Sequence, residues 1–300
     1  DSLAAGRPLL AVPSLIHASF MRCYALYFTH RLRVCMTTSL LSTASGDFRI
    51  DLQGPADAPV LVLSNSLGTT LEMWDAQVAA LRSEFRVLRY DTRGHGASVC
   101  NDGPYSFDQL GRDVLAILDA LQVQQAHFCG ISMGGLTGLW LGVNAGQRLR
   151  SLTVANSAAK IGVESAWLER AAQVRANGAA GMQALAESSP GRWFTPGFAA
   201  AQPAVVQRAQ AWIASIAPEG YASCCEALAR EDLRAAIAAI ATPTLLVAGA
   251  HDPVTTVADA QAMQAAIAGS QLVELQASHL SNLEAPEAFE QALAGFARQH

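Results

Sequence analysis

The chain predicts an α/β protein: a mostly parallel sheet covered by helices on both faces, with one helical insertion. Two observations carry this. From about Asp47 onward, short runs of Val, Leu and Ala alternate with longer amphipathic stretches, as expected for strands covered on both sides. The alternation then fails between Ser157 and about Ala241, where Ala-rich segments are broken only by "NGAAG", "SSPGRWFTPG" and "APEG".

Taken in order, strands are expected at 47–52, 59–65, 85–91, 126–132, 149–156, 243–250 and 271–276. Helices are expected at 73–81, 107–121, 133–145, 257–268 and 286–298. Within 107–121, Leu110, Val114, Leu115, Ile117, Leu118 and Leu121 fall on one broad face. Short connections between alternating strands and helices argue for crossover units and a parallel sheet. The core is expected at 45–156 and 242–300, with 157–241 as a helical lid over the C-terminal edge of the sheet. Open parallel sheets place their sites at that edge.

Residues 1–35 are expected to be a disordered extension outside the domain, with folding beginning after Met36. Their apolar part, Leu9 to Phe28, is interrupted by Pro13, His17 and Arg22, which argues against a spanning helix and so against a membrane partner. It also lacks the basic start, clean apolar core and small-residue cleavage site of a secretory signal. A targeting peptide is the alternative, because the segment carries Arg, Ser and His with Asp1 as its one acid.

Composition narrows the function classes. Three hundred residues, 51% hydrophobic, suffice for a sizeable core. A net charge of -5 gives no basic footprint for nucleic acid. The six cysteines (23, 35, 100, 129, 224, 225) form no CxxC pair and no metal-ligand spacing with histidine. They read as the reduced thiols of a cytoplasmic protein.

The stretch "FCGISMGG" (128–135) holds the chemistry. Gly130-Ile-Ser-Met-Gly134 is G-x-S-x-G, placed after an expected strand and at the start of an expected helix. That context makes Ser132 a candidate nucleophile, held at a sharp strand-to-helix turn. Gly130 and Gly134 leave room for strand and helix to approach, and the Met133 N–H at the helix start points where an oxyanion would form.

A serine nucleophile needs a base, and the base an orienting acid. His279 lies in the loop between the last strand and the last helix, where a side chain can reach the tip of the serine turn. His95, in "DTRGHGAS", is the other histidine able to face the site, whereas His127 opens the strand too early. Asp252 lies just past the preceding core strand, in "VAGAHDPVTT"; Asp259 and Glu274 are the alternatives, within a helix and a strand. The resulting order Ser132, Asp252, His279 is that of α/β-hydrolases. A second oxyanion donor would come from "SNSLGTT" after the strand 59–65, best from the Leu67 N–H. Many hydrolases have His-Gly where this chain has Asn65-Ser66.

Three segments together resemble the 3-oxoadipate enol-lactonases, members of the α/β-hydrolase fold family. They are "LSNSLGTTLEMWDAQVAAL" (63–81), "FRVLRYDTRGHGAS" (85–98) and "CGISMGGLTGLWLG" (129–142). "ANSAAKIG" (155–162), "RWFTPGF" (192–198) and "SHLSNLEAPEAF" (278–289) are similar too, so the likeness covers about 45–298. It implies hydrolysis of a small-molecule lactone, 3-oxoadipate enol-lactone, to 3-oxoadipate in aromatic-compound catabolism, without metal or organic cofactor. Because that substrate carries a carboxylate, a cation near the insertion is expected. Arg192 is the first candidate, with Trp193 as an apolar wall; Lys160 is the second, while Arg93 braces its loop. A general carboxylesterase or a carbon–carbon-bond hydrolase would use the same triad and stands as the alternative.

Overall fold

The computed structural model describes residues 38–300, so the expectation for residues 1–35 lies outside the described residues. Eight strands form one sheet in the order β1-β2-β4-β3-β5-β6-β7-β8. They are β1 (Ser39–Thr43), β2 (Gly46–Gln53), β3 (Val60–Ser64), β4 (Arg86–Tyr90), β5 (Ala126–Ile131), β6 (Leu149–Ala155), β7 (Thr244–Gly249) and β8 (Gln271–Leu275). β1 and β2 form an antiparallel hairpin, β2 pairs antiparallel with β4, and the remaining pairs are parallel. Every residue of β3, β5 and β7 is buried, which accounts for their largely apolar sequences.

Seven strands fall within a residue or two of the expected positions. β1 was not expected: "SLLST" is short and half polar, and it lies at the sheet edge with Leu40 exposed. Helices α1 (Asp75–Leu81), α2 (Phe107–Ala120) and α3 (Met133–Ala145) follow β3, β4 and β5. Ser106 caps α2, its side chain accepting from the Gln109 N–H. The segment expected to open the first helix, at Met73, is instead a 3-10 turn over Leu71–Trp74.

Between β6 and β7 the chain is helical: α4 (Glu164–Ser188), α5 (Pro190–Trp193), α6 (Pro196–Ala201), α7 (Pro203–Ser215) and α8 (Pro218–Arg230). Four of these begin with proline, whose missing N–H costs nothing in the first turn. α4 is broken at Gly178, which takes φ 54° in the "NGAAG" stretch. The chain closes with α9 (Val257–Ala266), α10 (Ser281–Glu284) and α11 (Pro286–Ala297).

The order of strands places the site. After β3 the chain moves to β4 on one side, then returns to β5 on the other. The loops leaving β3 and β5 therefore diverge, opening a crevice at the C-terminal ends of these strands.

Arg93 and His95 brace the loops around that crevice, and His127 is buried at the other end of the sheet. Arg93 donates to both oxygens of Asp113 on α2, at 2.8 and 2.6 Å, and also to Ser45 O and Asn101. Arg93 is thus a brace, as its sequence suggested. Two histidines are buried as neutral rings. His95 Nε2 accepts from the Gly68 N–H at 3.0 Å, and His127 Nδ1 meets Ser151 Oγ at 2.8 Å. Burial is the first cause holding both rings down, to about 4 from the usual 6.5.

Removing one partner of the buried Arg93–Asp113 pair strands the other charge. Asp113→Ala should therefore lower the unfolding free energy by about 3–5 kcal/mol, as measured by urea denaturation. For the histidines, the unfolded chain takes up protons first on acidification, because its pKa values are the higher ones. Their contribution is complete above pH 6.5 and is lost as pH falls towards 4. Unfolding curves across that window should show the decline, and His127→Gln should make it shallower.

Candidate active site

The turn between β5 and α3 is built on close backbone approach. A Cβ on Gly130 would lie 2.1 Å from the Gly134 carbonyl oxygen, and one on Gly134 would lie 2.3 Å from the Ser64 oxygen. With glycine at both places, α3 packs against the ends of β3 and β5, and Ser132 sits at the tip. Its backbone is held at φ 57°, ψ -115°, a region that residues with a Cβ seldom adopt. Hydrogen bonds on both sides maintain it: Ser132 N–H to Ala155 O at 3.0 Å, and Ser157 Oγ to Ser132 O at 2.8 Å.

Asp252 and His279 meet as their chain order suggested. His279 Nδ1 lies 2.8 Å from Asp252 Oδ2, with both side chains almost fully buried. The same oxygen accepts from Asn156 Nδ2 at 3.0 Å and from Thr255 Oγ1 at 2.8 Å. The other oxygen accepts from the Val254 and Thr255 N–H groups at 2.7 and 3.1 Å. Burial alone would raise the Asp252 carboxyl. The facing His279 ring and these hydrogen bonds outweigh it, so the group stays ionised below the ordinary carboxylate range. Ionised Asp252 fixes the proton on Nδ1 and leaves Nε2 as the ring nitrogen free to accept one.

Ser132 and His279 line the same cavity, of about 360 Å³. Leu67 also lines it, from the loop after β3. The next two amides of that loop are committed, Gly68 N–H to His95 Nε2 and Thr69 N–H to Ser66 O. The Leu67 N–H is not committed among the described residues. Met133 is the first residue of α3, so its N–H has no carbonyl one turn back within the helix. His95 thus stands behind the loop that carries the Leu67 N–H, and the histidine that meets Asp252 is His279.

Arg192 and Trp193 both line the cavity, as expected of them, from α5 in the insertion. Lys160 does not. It pairs with Asp232 at 3.4 Å and lines a separate hollow of about 180 Å³. Asp232, 72 residues further along the chain, takes the ammonium, so Lys160 is corrected from candidate contact to surface pair. Asp259 is spent on the capping box of α9 with Thr256, and His251 lines a neighbouring cleft.

Four residues around the site were not singled out from sequence. Asn156, at φ 43° after β6, joins Asp252 to the Ser278 carbonyl at 3.2 Å and accepts from Ser281 Oγ at 2.5 Å. Glu284 accepts from the Ser278 N–H at 3.0 Å, just before His279, and from the Thr195 N–H and hydroxyl in the insertion. Arg170 and Tyr221 line the cavity from α4 and α8. Such partners are far apart in the chain, so no local pattern reveals them, although Asn156 and Glu284 fall inside the segments "ANSAAKIG" and "SHLSNLEAPEAF".

Among the described residues no group of three or more His, Cys, Asp or Glu side chains is placed to hold a metal ion, and no helix is long and apolar enough to cross a membrane.

Comparison with known proteins accords with this geometry. A family profile described as the alpha/beta hydrolase fold matches residues 59–286. The chain is 52% identical over 240 residues to 3-oxoadipate enol-lactonase 2 of Acinetobacter baylyi, covering 80% of this chain and 89% of that one. It is 49% identical to 3-oxoadipate enol-lactonase 1 of the same organism, covering 83% and 92%. The crystal structure of the enol-lactonase from Burkholderia xenovorans superposes with a TM-score of 0.84 at 42% identity, covering 87% of this chain and 100% of that one. With a parallel-sheet crevice, a strained serine turn and these relatives, the chain belongs to the α/β hydrolase fold family, in the branch that contains the 3-oxoadipate enol-lactonases.

Proposed function

We propose that the protein hydrolyses 3-oxoadipate enol-lactone to 3-oxoadipate, with Ser132 as nucleophile, His279 as base and Asp252 as its orienting acid. The observation that carries the reading is the cavity shared by Ser132 and His279, with the His279 ring fixed from behind by Asp252. The lactone substrate is supported by the enol-lactonases that this chain matches over most of its length.

In the first half-reaction Ser132 Oγ bonds to the lactone carbonyl carbon while its proton passes to His279 Nε2. The carbonyl oxygen becomes an oxyanion, received by the Leu67 and Met133 N–H groups. One such donor is worth about 3 kcal/mol to the transition state. As the carbonyl re-forms, the ring C–O bond breaks and the leaving enol oxygen takes the proton from His279. The enol collapses to a ketone, which makes ring opening strongly downhill. In the second half-reaction a water gives its proton to His279 and bonds to the acyl carbon. The ester bond to Ser132 then breaks, and the serine recovers its proton. The apo ring need not touch Ser132 for this, because such contacts tighten when substrate arrives.

In this reading the reaction calls for no metal or organic cofactor. The helices of 157–241 act as the lid, carrying Arg192 and Trp193 to the substrate. The free thiols Cys129, Cys224 and Cys225 suit a cytoplasmic enzyme. An aryl esterase would use the same triad, and relative turnover of lactone and simple aryl esters separates the two.

With purified protein, enol-lactone generated in situ should lose its ultraviolet absorbance. Ser132→Ala should cut kcat by at least about 10³-fold while leaving the thermal unfolding midpoint in place. Full activity in that variant would overturn the mechanism. Asp252→Asn, which presents the ring with the wrong partner, should cost about 10⁴-fold in kcat. Rapid cleavage of aryl esters with no effect on enol-lactone would overturn the substrate.

A further inference from the structure

The turn that carries Leu67 is held in one shape by two buried side chains that the proposed reaction steps do not use. Ser66, Leu67, Gly68 and Thr69 form a reverse turn, closed by the Thr69 N–H on the Ser66 oxygen at 3.2 Å. Gly68 takes φ 81°, the value of the third residue in a type II turn. A Cβ there would lie 3.1 Å from Ile213 and 3.3 Å from Tyr221, so the insertion packs directly on the turn.

Two peptide planes set the direction of the Leu67 N–H. It shares a planar trans peptide with the Ser66 carbonyl, so the two point in opposite directions. The Ser66 oxygen accepts from the Thr69 hydroxyl at 2.7 Å as well as from the Thr69 amide. The Met73 sulfur lies 3.0 Å from the same hydroxyl, but the single proton goes to the nearer and stronger acceptor, the oxygen. Thr69 thus draws the carbonyl one way and turns the Leu67 N–H the other.

The next peptide is held by His95, whose Nε2 accepts the Gly68 N–H at 3.0 Å. An accepting Nε2 puts the ring proton on Nδ1, which faces the Arg93 oxygen at 3.3 Å. Burial keeps the ring neutral, so the lone pair on Nε2 survives near neutral pH. In a type I turn this peptide is flipped and its N–H points away, so the His95 bond selects type II. His95 is itself placed by close packing. Its N–H donates to the Thr92 oxygen at 2.9 Å, and a Cβ on Gly94 would lie 2.6 Å from Gly220 in the first turn of α8.

We infer that His95 and Thr69 are positioning residues, which together hold the 66–69 turn so that the Leu67 N–H is aimed at the carbonyl oxygen of the substrate. This rests on the hydrolase reading of the site. Neither side chain touches the substrate; each acts through a peptide plane. Their removal should spare ground-state binding and weaken the transition state, where the oxygen carries charge.

The test uses p-nitrophenyl acetate with His95→Leu and Thr69→Val, each checked for folding by circular dichroism. In both, kcat should fall about 10- to 100-fold with KM within about twofold, less than the loss of a whole donor because the amide remains. His95→Gln, whose side-chain oxygen can accept from Gly68, and Thr69→Ser should each recover part of the rate. Two inhibitors separate aim from general damage. On 1,1,1-trifluoro-4-phenylbutan-2-one, Ser132 Oγ bonds to the carbonyl carbon, its proton passes to His279, and the carbonyl electron pair becomes an oxyanion. 4-Phenylbutan-2-one stays a ketone. In both variants the inhibition constant of the trifluoro ketone should rise at least about tenfold, and that of the plain ketone should stay within about twofold. An equal rise for both ketones, or wild-type kcat in both variants, overturns the inference. If His95→Leu does not fold, Thr69→Val carries the same test. Ser132→Ala marks the other failure: if it still cleaves the ester, the hydrolase reading falls and this inference with it. If Ser132→Ala is inert while His95→Leu and Thr69→Val match the wild type, the positioning role alone falls.

Discussion

The site depends on a backbone contact. β3, β5 and the first turn of α3 approach until no Cβ fits at Gly130 or Gly134, and Ser132 is forced into a backbone conformation it would not otherwise take. The strain is held by neighbours rather than by the turn itself, through Ala155 on one side and Ser157 on the other. Such strain typically costs one to a few kcal/mol and survives only where surrounding structure over-determines it. In return the serine is lifted clear of the sheet, and the amide after it is left without an internal partner. The proposed nucleophile and the proposed oxyanion donor are thus products of one turn.

The second half of the machinery is polar and comes from distant parts of the chain. Asp252 is almost wholly surrounded by donors: an imidazole, an amide side chain, a hydroxyl and two backbone N–H groups. A carboxylate this buried would otherwise be pushed towards neutrality, which would end its hold on the ring. Asn156 matters for that reason. It supplies one of the donors and also ties the loop of His279 to the end of β6. The His279 ring is therefore held by a network that no single loop contains.

This division explains what could be read from the sequence. The serine turn is local, so "GISMG" between a strand and a helix was enough to locate it. Buried parallel strands announce themselves as apolar runs, and seven of eight were readable. β1 was not, because an exposed edge strand such as "SLLST" has no need of an apolar pattern. Asp252 and His279 were legible from their places after consecutive strands. Asn156, Glu284 and Arg170 were not, since their places beside the site arise only once distant segments meet. Lys160 shows the same limit: nothing local told that Asp232 would take its charge.

Glu284 links the insertion to the loop that carries His279. It holds Thr195 and the amide of Ser278 at once, and beside it the Leu280 N–H donates to the Trp193 carbonyl at 3.1 Å. The segment that walls the cavity and the loop that carries His279 are thus stitched together at several points within a few residues. Moving the wall to admit a larger or smaller acyl compound would drag the imidazole with it. New substrates are then more easily reached by exchanging side chains on a stationary backbone than by reshaping loops, which makes positions such as Arg170, Trp167 and Ile213 the adjustable parts of an otherwise rigid frame.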